Sequence, residues 1–297
     1  MKVGIVDVGA NTLRLLVAAP DGAGGVKSVR AERTQLGLGE EIESSGGTIG
    51  SEKLEAAAAV AKDYVRRARR ARCDLIEILV TSPGRQAANG EALVAALEDA
   101  AGVPVRVLGR DEEGELAWRG AVACAEEPPE SVAVCDVGGG STQLAVGTLD
   151  EGPAWTRSVD IGSLRLARRA FESDPPRKSE LARARNEVAA ALEGLTPPLP
   201  LAALATGGTA RSLRRVVGTS LGTSELEAAL RKLGKRTIAE ISRDFGVDRD
   251  RAGTFLAGTM ILAGVQLLLA TPLAVAQGGL REGAALALFE QAAAATG

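Results

Sequence analysis

The sequence predicts an α/β protein made of two related domains. Residues 7–18 (D-V-G-A-N-T-L-R-L-L-V-A) align without a gap on residues 136–147 (D-V-G-G-G-S-T-Q-L-A-V-G), and each segment follows a short apolar run typical of a buried strand. A repeat of this length indicates a duplicated unit, and 297 residues are enough for two domains that each bury a core. If the domains face each other, the two aspartate-led turns converge on one cleft.

The first half is predicted to begin with a meander of three strands and to continue with alternating helices and strands. Strands are predicted at 3–7, 13–19, 26–33, 75–80 and 105–108. Residues 35–50, rich in Gly, Glu and Ser, are predicted to be an exposed loop, and Ser51 is expected to cap the helix that follows. Residues 81–85 leave a strand ahead of a helix to Ala101, which is where the ligand crevice of an open α/β sheet lies.

The second half follows a linker in which Pro128 and Pro129 interrupt the chain. The domain boundary is therefore placed between 1–127 and 128–279. Strands are predicted at 132–135, 143–146, 155–159, 201–205 and 273–276. Residues 242–255 are mostly polar and are expected to merge into one apolar helix that runs to Ala270.

The repeated turns have the composition of phosphate-binding loops. Gly138, Gly139 and Gly140 can take positive φ and bring backbone N–H groups close to an anion, while Ser141 and Thr142 add hydroxyl donors. Asp136 would repel a phosphate, so its expected role is to hold a metal ion directly or through water. An ordinary hairpin turn is the alternative for a single glycine run, and the second copy at Asp7 weakens that alternative.

Composition excludes several classes of chemistry. The chain has no histidine. This excludes a Ser-His-Asp triad, a histidine-ligated zinc site and the metal centre of an HD phosphohydrolase. Three cysteines without paired spacing argue against a disulfide framework and favour a reducing cytoplasm. The N-terminus has no signal-peptide pattern, and the uncharged stretch 252–277, interrupted by Pro272, predicts a core helix and a buried strand rather than a membrane span. A net charge of -3 gives no overall attraction to nucleic acid.

Six ordered motifs resemble one family. The first turn resembles D-x-G-S-N-S-x-R, with Ala10 and Thr12 as departures, and the second resembles D-x-G-G-G-S-T-E, with Gln143 in the last place. Further matches lie at 81–89, 112–116, 207–210 and 279–283. Together they resemble the exopolyphosphatase and guanosine-pentaphosphate phosphohydrolase (Ppx/GppA) family, within the superfamily of acetate and sugar kinases, heat-shock chaperones and actin. The resemblance covers residue 2 to about residue 289.

The resemblance implies two ribonuclease-H-like (actin-like ATPase) domains with an active-site cleft between them, and a last helix, 280–297, that packs back on the first domain. It implies Glu113 as the catalytic base, a role that spacing alone would not have favoured. Its neighbour Glu112 is expected to interact with the dipole at the start of the helix. Arg85, at a strand exit, is expected to neutralise phosphate charge. The predicted phosphate-binding residues are Gly9, Asn11, Thr12, Arg14, Gly138, Gly139, Gly140, Ser141, Thr142, Gly207, Gly208 and Thr209. The predicted metal ligands are Asp7, Asp136 and Gln143.

The predicted function is magnesium-dependent hydrolysis of the terminal phosphate of short-chain inorganic polyphosphate in the cytoplasm. Two alternatives stay open, hydrolysis of guanosine pentaphosphate and non-hydrolytic binding of polyphosphate or a nucleotide. Few aromatic residues are available to stack on a guanine, and the chain is shorter than family members with an added C-terminal domain for long polymers. No nucleic-acid or membrane partner is expected, a homodimer is allowed, and the glycines at 207–208 could equally serve close packing.

Overall fold

The computed structural model describes residues 1–294, which form two compact units. Of the described residues, the first unit contains Met1–Cys124 together with residues 278–294, and the second contains Ala125–Gln277. The boundary therefore follows Cys124, close to the predicted linker. The prediction that the last helix extends through residues 295–297 lies outside the described residues.

The first unit is built on a five-stranded sheet with helices packed on it. Its elements in chain order are β1 (Val3–Val8), β2 (Thr12–Pro20), β3 (Val26–Gln35), α1 (Leu38–Ser44), α2 (Ser51–Arg70), β4 (Leu75–Val80), α3 (Ser82–Gln86), α4 (Gly90–Ala101), β5 (Val105–Val107) and α5 (Arg110–Ala123). The strand order is β3-β2-β1-β4-β5. β1 pairs antiparallel with β2 and parallel with β4, so the turn after β1 and the exit of β4 lie at the same edge of the sheet.

The second unit repeats this order and adds one strand at its edge. Its elements are β6 (Ser131–Val137), β7 (Thr142–Thr148), β8 (Gly152–Val159), α6 (Ser163–Ala170), α7 (Lys178–Leu192), β9 (Ala202–Thr206), α8 (Gly207–Leu213), β10 (Ser220–Leu221), α9 (Thr223–Leu233), α10 (Ile238–Phe245), α11 (Arg249–Leu269) and β11 (Leu273–Val275). The strand order is β10-β11-β9-β6-β7-β8. The chain then returns to the first unit as α12 (Leu280–Ala294).

The register of the two hairpins confirms the duplication. In the first hairpin Asp7 pairs with Arg14, and in the second Asp136 pairs with Gln143. These are the positions that the alignment of the two repeats makes equivalent. The predicted α/β fold class, with two duplicated sheets, is therefore confirmed.

Three local predictions were wrong. Residues 35–50 contain helix α1, whose Leu38 and Ile42 are buried, because two well-placed apolar side chains outweigh the low helix propensity of the surrounding glycines and serines. Ser51 is the first residue of α2 rather than its cap, which is Gly50. The segment from 238 onwards forms two helices, since Gly246 takes a left-handed conformation that ends α10 before Asp248 caps α11.

Helix α11 is long and apolar enough to cross a membrane by length and composition, yet 72% of its most apolar window is buried. It contacts α6, α7, α8, α9 and α10 within the second unit. Burial on several sides explains why it carries apolar residues around most of its circumference.

Candidate active site

The turn after β1 is held by its own backbone and by helix α1. The Gly9 N–H donates to the Thr12 carbonyl oxygen at 3.1 Å, and the Thr12 hydroxyl accepts a hydrogen bond from Arg14 Nε at 3.2 Å. The Asn11 side-chain oxygen accepts a hydrogen bond from Gln35, and the Asn11 carbonyl oxygen accepts from residues 36 and 37. The predicted phosphate-binding residues of this turn are thus brought together, with the Asn11 oxygen already engaged.

Asp7 lies at the centre of a charged cluster that includes the C-terminal motif. Burial raises the pKa of Asp7 above its ordinary value, while Arg14 and Arg281 act in the opposite direction and Glu282 adds to the rise. The Glu282 carboxylate accepts a hydrogen bond from the Gly279 N–H at 3.0 Å, which caps the start of α12. The structure therefore places the 279–283 motif beside the first turn, a contact that the sequence did not specify.

Glu113 and Arg85 form a buried ion pair. Arg85 Nη2 lies 2.7 Å from Glu113 Oε2, and Arg85 Nη1 donates to the Leu108 carbonyl oxygen at 2.8 Å. The two side chains are only 15% and 9% exposed. Arg85 comes from α3 directly after β4, and Glu113 comes from the first turn of α5 after β5, so two neighbouring strands position the pair. The family resemblance implied the role of Glu113 and the strand exit singled out Arg85, but neither predicted their contact.

Glu112 has a structural role, as its position at the helix start predicts. Its carboxylate accepts a hydrogen bond from the Gly109 N–H at 3.2 Å and forms an ion pair with Arg106, which also contacts Glu77. The adjacent glutamates therefore differ in surroundings, since Glu113 is buried while Glu112 caps α5 and pairs with an arginine that is 40% exposed.

The glycine turn of the second unit directs its carbonyl groups at helix α6. The Gly138 oxygen accepts hydrogen bonds from the Ser163 N–H and hydroxyl, and the Gly139 oxygen accepts from the N–H groups of Leu164 and Arg165. A side chain at Gly162 would collide with Gly139, so only glycine fits there. The turn is thus built into the start of α6, which fixes its conformation.

Behind this turn lies a buried polar network. The Thr142 hydroxyl donates to the Ile161 carbonyl oxygen at 2.6 Å. Gln143 Nε2 donates to the Ser141 hydroxyl at 2.9 Å and to the Ser158 hydroxyl at 3.2 Å. Gln143 is buried. Because its amide nitrogen is a donor, the carbonyl oxygen Oε1 is the atom of its side chain that could bind a cation. Ser158 was not predicted, and nothing in its sequence context distinguishes it.

The third glycine motif lies beside Asp136. Thr206 of β9 pairs in register with Asp136, and Gly207 takes φ +90°, a conformation that favours glycine. A β-carbon at Gly207 would lie 2.9 Å from Asp136 Oδ1. Gly208 leaves room for the guanidinium of Arg251 from α11, a cation that the sequence did not point to. Thr209, predicted to bind phosphate, is fully buried and packs against Gly258, with its hydroxyl in the core.

A sequence model of the Ppx/GppA phosphatase family matches residues 16–292. The chain belongs to this family. Exopolyphosphatase 1 of Mycobacterium tuberculosis is 29% identical over 318 residues, which cover 100% of this chain and 90% of that protein. Exopolyphosphatase 2 of the same species is 30% identical over 208 residues, which cover 67% of this chain and 64% of that protein.

Solved structures of Ppx/GppA relatives share the fold. The Aquifex aeolicus family member superimposes with a TM-score of 0.82 at 24% identity, covering 98% of both chains. An exopolyphosphatase from Cytophaga hutchinsonii gives a TM-score of 0.85 at 22% identity, covering 95% of this chain and 96% of that one. The actin-like two-domain fold class is thereby confirmed, and the Ppx/GppA chain is a phosphoanhydride hydrolase.

Members of the Ppx/GppA family generally depend on a divalent cation. Among residues 1–294 no group of three or more acidic, cysteine or histidine side chains converges. Magnesium commonly binds one or two carboxylates and completes its octahedron with water and substrate phosphates. Asp136 suits this role because the missing side chain of Gly207 leaves space at its Oδ1.

The cysteines do not supply a nucleophile to this Ppx/GppA site. Burial, with smaller contributions from Glu282 and Asp21, raises the pKa of Cys124 to about 11. Burial also raises the pKa values of Cys73 and Cys135 above the usual thiol value. Because the thiolate is the reactive form, these raised pKa values disfavour a cysteine nucleophile.

Proposed function

We propose that the protein is an exopolyphosphatase that removes the terminal phosphate from short inorganic polyphosphate with magnesium. The observation that carries this proposal is the buried Glu113–Arg85 pair, which gives a Ppx/GppA chain a fixed carboxylate beside a guanidinium. The names of its relatives in Mycobacterium tuberculosis support polyphosphate as the substrate.

In this mechanism Glu113 accepts a proton from the water molecule that attacks the terminal phosphorus in line. The bridging P–O bond breaks, the shortened polyphosphate leaves with the bonding electron pair, and the terminal group is released as orthophosphate. Arg85 holds the Glu113 carboxylate in place and, with donors left over from its two protein contacts, can also bind a phosphate oxygen. Magnesium, when bound, would neutralise charge on the phosphate chain, including the charge that develops on the shortened chain as it leaves. Within the second unit Asp136 is the carboxylate that would hold the ion, with Gln143 Oε1 as a further candidate ligand. Within the first unit the proposed metal-binding carboxylate is Asp7.

Phosphate oxygens are proposed to bind backbone N–H groups and side chains of both repeated turns. In the first turn these residues are Gly9, Asn11, Thr12 and Arg14, and in the second they are residues 138–142. The Ser141 hydroxyl accepts from Gln143, so its own hydrogen can be donated to a phosphate oxygen. Gly207, which lies beside Asp136, and its neighbour Gly208 are proposed to leave room for phosphate next to this aspartate.

Inorganic polyphosphate is preferred over guanosine pentaphosphate because the aromatic rings are committed to packing. The chain has two tryptophans, one tyrosine and four phenylalanines. Trp118, Tyr64 and Phe255 are buried, and Trp155 packs under Arg157. None of these three buried rings can stack on a guanine without unpacking a core. The three unpaired cysteines fit the proposed cytoplasmic location.

Phosphate release should be measured side by side from tripolyphosphate, a longer polyphosphate and guanosine pentaphosphate, with magnesium and with a chelator. The proposal expects magnesium-dependent release that is fastest from tripolyphosphate. Faster release from guanosine pentaphosphate would assign the nucleotide reaction instead. Tight binding of every substrate without release would show a binding protein.

A further inference from the structure

The second unit contains a cavity of about 570 Å³ among helices α7, α9 and α11. Its volume falls within the range of small-molecule sites, about 300–1,000 Å³. The lining is formed by Arg185, Val188, Ala189, Leu192, Thr223, Leu226, Glu227, Leu230, Met260, Ala263, Gly264, Gln266 and Leu267. None of these residues takes part in the proposed hydrolysis.

The cavity is apolar and open at a rim that carries an exposed leucine. Val188, Leu192, Leu226 and Met260 form buried parts of the wall, whereas Leu267 on α11 is 67% exposed. A large apolar side chain that is exposed to water beside an apolar cavity indicates a surface whose burial by a ligand or partner would lower the free energy.

Two donors of the lining make no hydrogen bond within residues 1–294, and both are within reach of solvent. Gln266 is only 6% exposed and its Oε1 accepts the Thr223 hydroxyl at 3.0 Å, while its Nε2 makes no hydrogen bond to any of residues 1–294. Arg185 on α7 is exposed at the rim and has no ion pair or hydrogen bond among the same residues. Glu227, the acidic residue of the lining, is 3.3 Å from Arg231 and so has its own counter-ion.

We propose that this cavity binds a medium-chain aliphatic carboxylate. The aliphatic chain fills the apolar wall between α7, α9 and α11, and the carboxylate accepts hydrogen bonds from the unpartnered donors at Arg185 and Gln266. A compact polyanion such as polyphosphate would leave the apolar wall uncovered. A neutral hydrocarbon would fill the wall without using the positive charge that Arg185 places at the rim, a charge worth only as much as an exposed pair.

Calorimetric titration of the full chain with decanoate, octanoate, acetate and 1-decanol tests the proposal. Each buried methylene contributes about fourfold in affinity, so octanoate should bind about 15-fold more weakly than decanoate, and acetate should not bind. Decanoate should bind more tightly than 1-decanol because of the charge on Arg185. Equal affinities of octanoate and decanoate would overturn the proposal, since chain burial would then contribute nothing.

Two substitutions with matched controls locate the site. Ala189→Phe fills the cavity from an exposed position and should weaken decanoate binding at least tenfold, whereas Ala190→Phe, exposed one residue along α7 and outside the lining, should leave it unchanged. Arg185→Gln should weaken decanoate binding about threefold, the scale of an exposed charge pair, without changing 1-decanol binding. Arg214→Gln, an exposed arginine outside the lining, should change neither.

Two outcomes would overturn the assignment. Undiminished decanoate binding by Ala189→Phe, with the fold verified by circular dichroism, would place the ligand elsewhere. A lower molar mass of Ala189→Phe than of the unaltered chain in light scattering would show that a second copy of the chain, rather than a carboxylate, covers this face.

Discussion

The ion pair between Glu113 and Arg85 is the residue-scale feature on which the proposed chemistry depends. A buried carboxylate next to a guanidinium keeps one orientation, and the second Arg85 contact, to the Leu108 carbonyl oxygen, fixes the guanidinium in turn. Removing one partner of a buried pair costs about 3–5 kcal/mol because the other charge stays buried without compensation. Changes at either residue therefore affect stability as well as chemistry, and the two effects must be measured separately.

We expect Glu113→Gln to lower kcat by about 10²–10⁴-fold, the usual contribution of a general base, with KM for tripolyphosphate nearly unchanged. Glu112→Gln is the matched control, because glutamine keeps the bond from the Gly109 N–H and loses only a partly exposed ion pair with Arg106. This change should cost less than about 1 kcal/mol of stability and less than about threefold in kcat. Steady-state phosphate release and thermal melting of both variants check this. A loss of less than tenfold in Glu113→Gln would remove Glu113 from the role of base.

Arg85→Lys should separate the two roles of Arg85. Lysine keeps the positive charge for phosphate but cannot contact Glu113 and the Leu108 oxygen with one planar fork. We expect KM for tripolyphosphate within about threefold of the unaltered chain and kcat lowered by at least tenfold, whereas Arg85→Ala should affect both. Recovery of kcat in Arg85→Lys would contradict the positioning role and leave only charge neutralisation.

Gln143→Glu places a second carboxylate opposite Asp136 in a buried network. Magnesium prefers anionic oxygen ligands, so the magnesium concentration for half-maximal activity should fall. Without magnesium the variant should melt at a lower temperature, because a buried negative charge then faces Asp136 across the hairpin. Gln291→Glu, on an exposed part of α12, is the control. Unchanged magnesium dependence and unchanged melting would place Gln143 outside the metal environment.

At the scale of elements, α5 and α12 approach so closely that glycine is required on both helices. A side chain at Gly120 would collide with the backbone of residues 279 and 283, and one at Gly283 would collide with the Leu116 carbonyl oxygen. This contact holds α12, and with it Arg281 and Glu282, beside Asp7. The packing of α12 on the first unit thus contributes directly to the charge around the first turn.

Gly120→Ala should lower the free energy of unfolding by about 1–3 kcal/mol, since neither backbone segment can move without repacking. Gly253→Ala in α11 is the matched control. Its β-carbon would meet only Ile238, at 3.7 Å, and alanine gains about 1 kcal/mol of helix propensity. Urea denaturation of both variants checks the prediction. Equal stability of the two would show that the α5–α12 contact adjusts freely.

Elements with a local signal could be predicted from the sequence, whereas those fixed by distant contacts could not. Both hairpins could be predicted because each consists of two short apolar strands around a turn that contains glycine. Within a strand, every second side chain points to the same face of the sheet, so the pattern can be read from the sequence. Helix α1 was missed because its two buried side chains, Leu38 and Ile42, act only after the chain has folded over them. The Glu113–Arg85 contact was missed for the same reason, since it joins residues 28 positions apart on different elements.

At the scale of the whole molecule, one duplicated unit has acquired different side chains in its two copies. Both sheets place a hairpin beside a parallel strand, and both turns begin with aspartate. The residue opposite that aspartate is Arg14 in the first unit and Gln143 in the second. The base and its arginine belong to the first unit, while the long glycine turn belongs to the second. The duplication could be predicted from sequence because it needs only an alignment.

The reaction products of a polyphosphate of one defined length test the proposed activity most directly. With magnesium present, we predict that orthophosphate appears from the first time point and that gel electrophoresis shows the chain shortening by one phosphate at a time. The Glu113→Gln variant, under the same conditions, should leave the chain intact. Fragments of intermediate length without early orthophosphate, or a chain left unchanged by the unaltered protein, would contradict terminal hydrolysis.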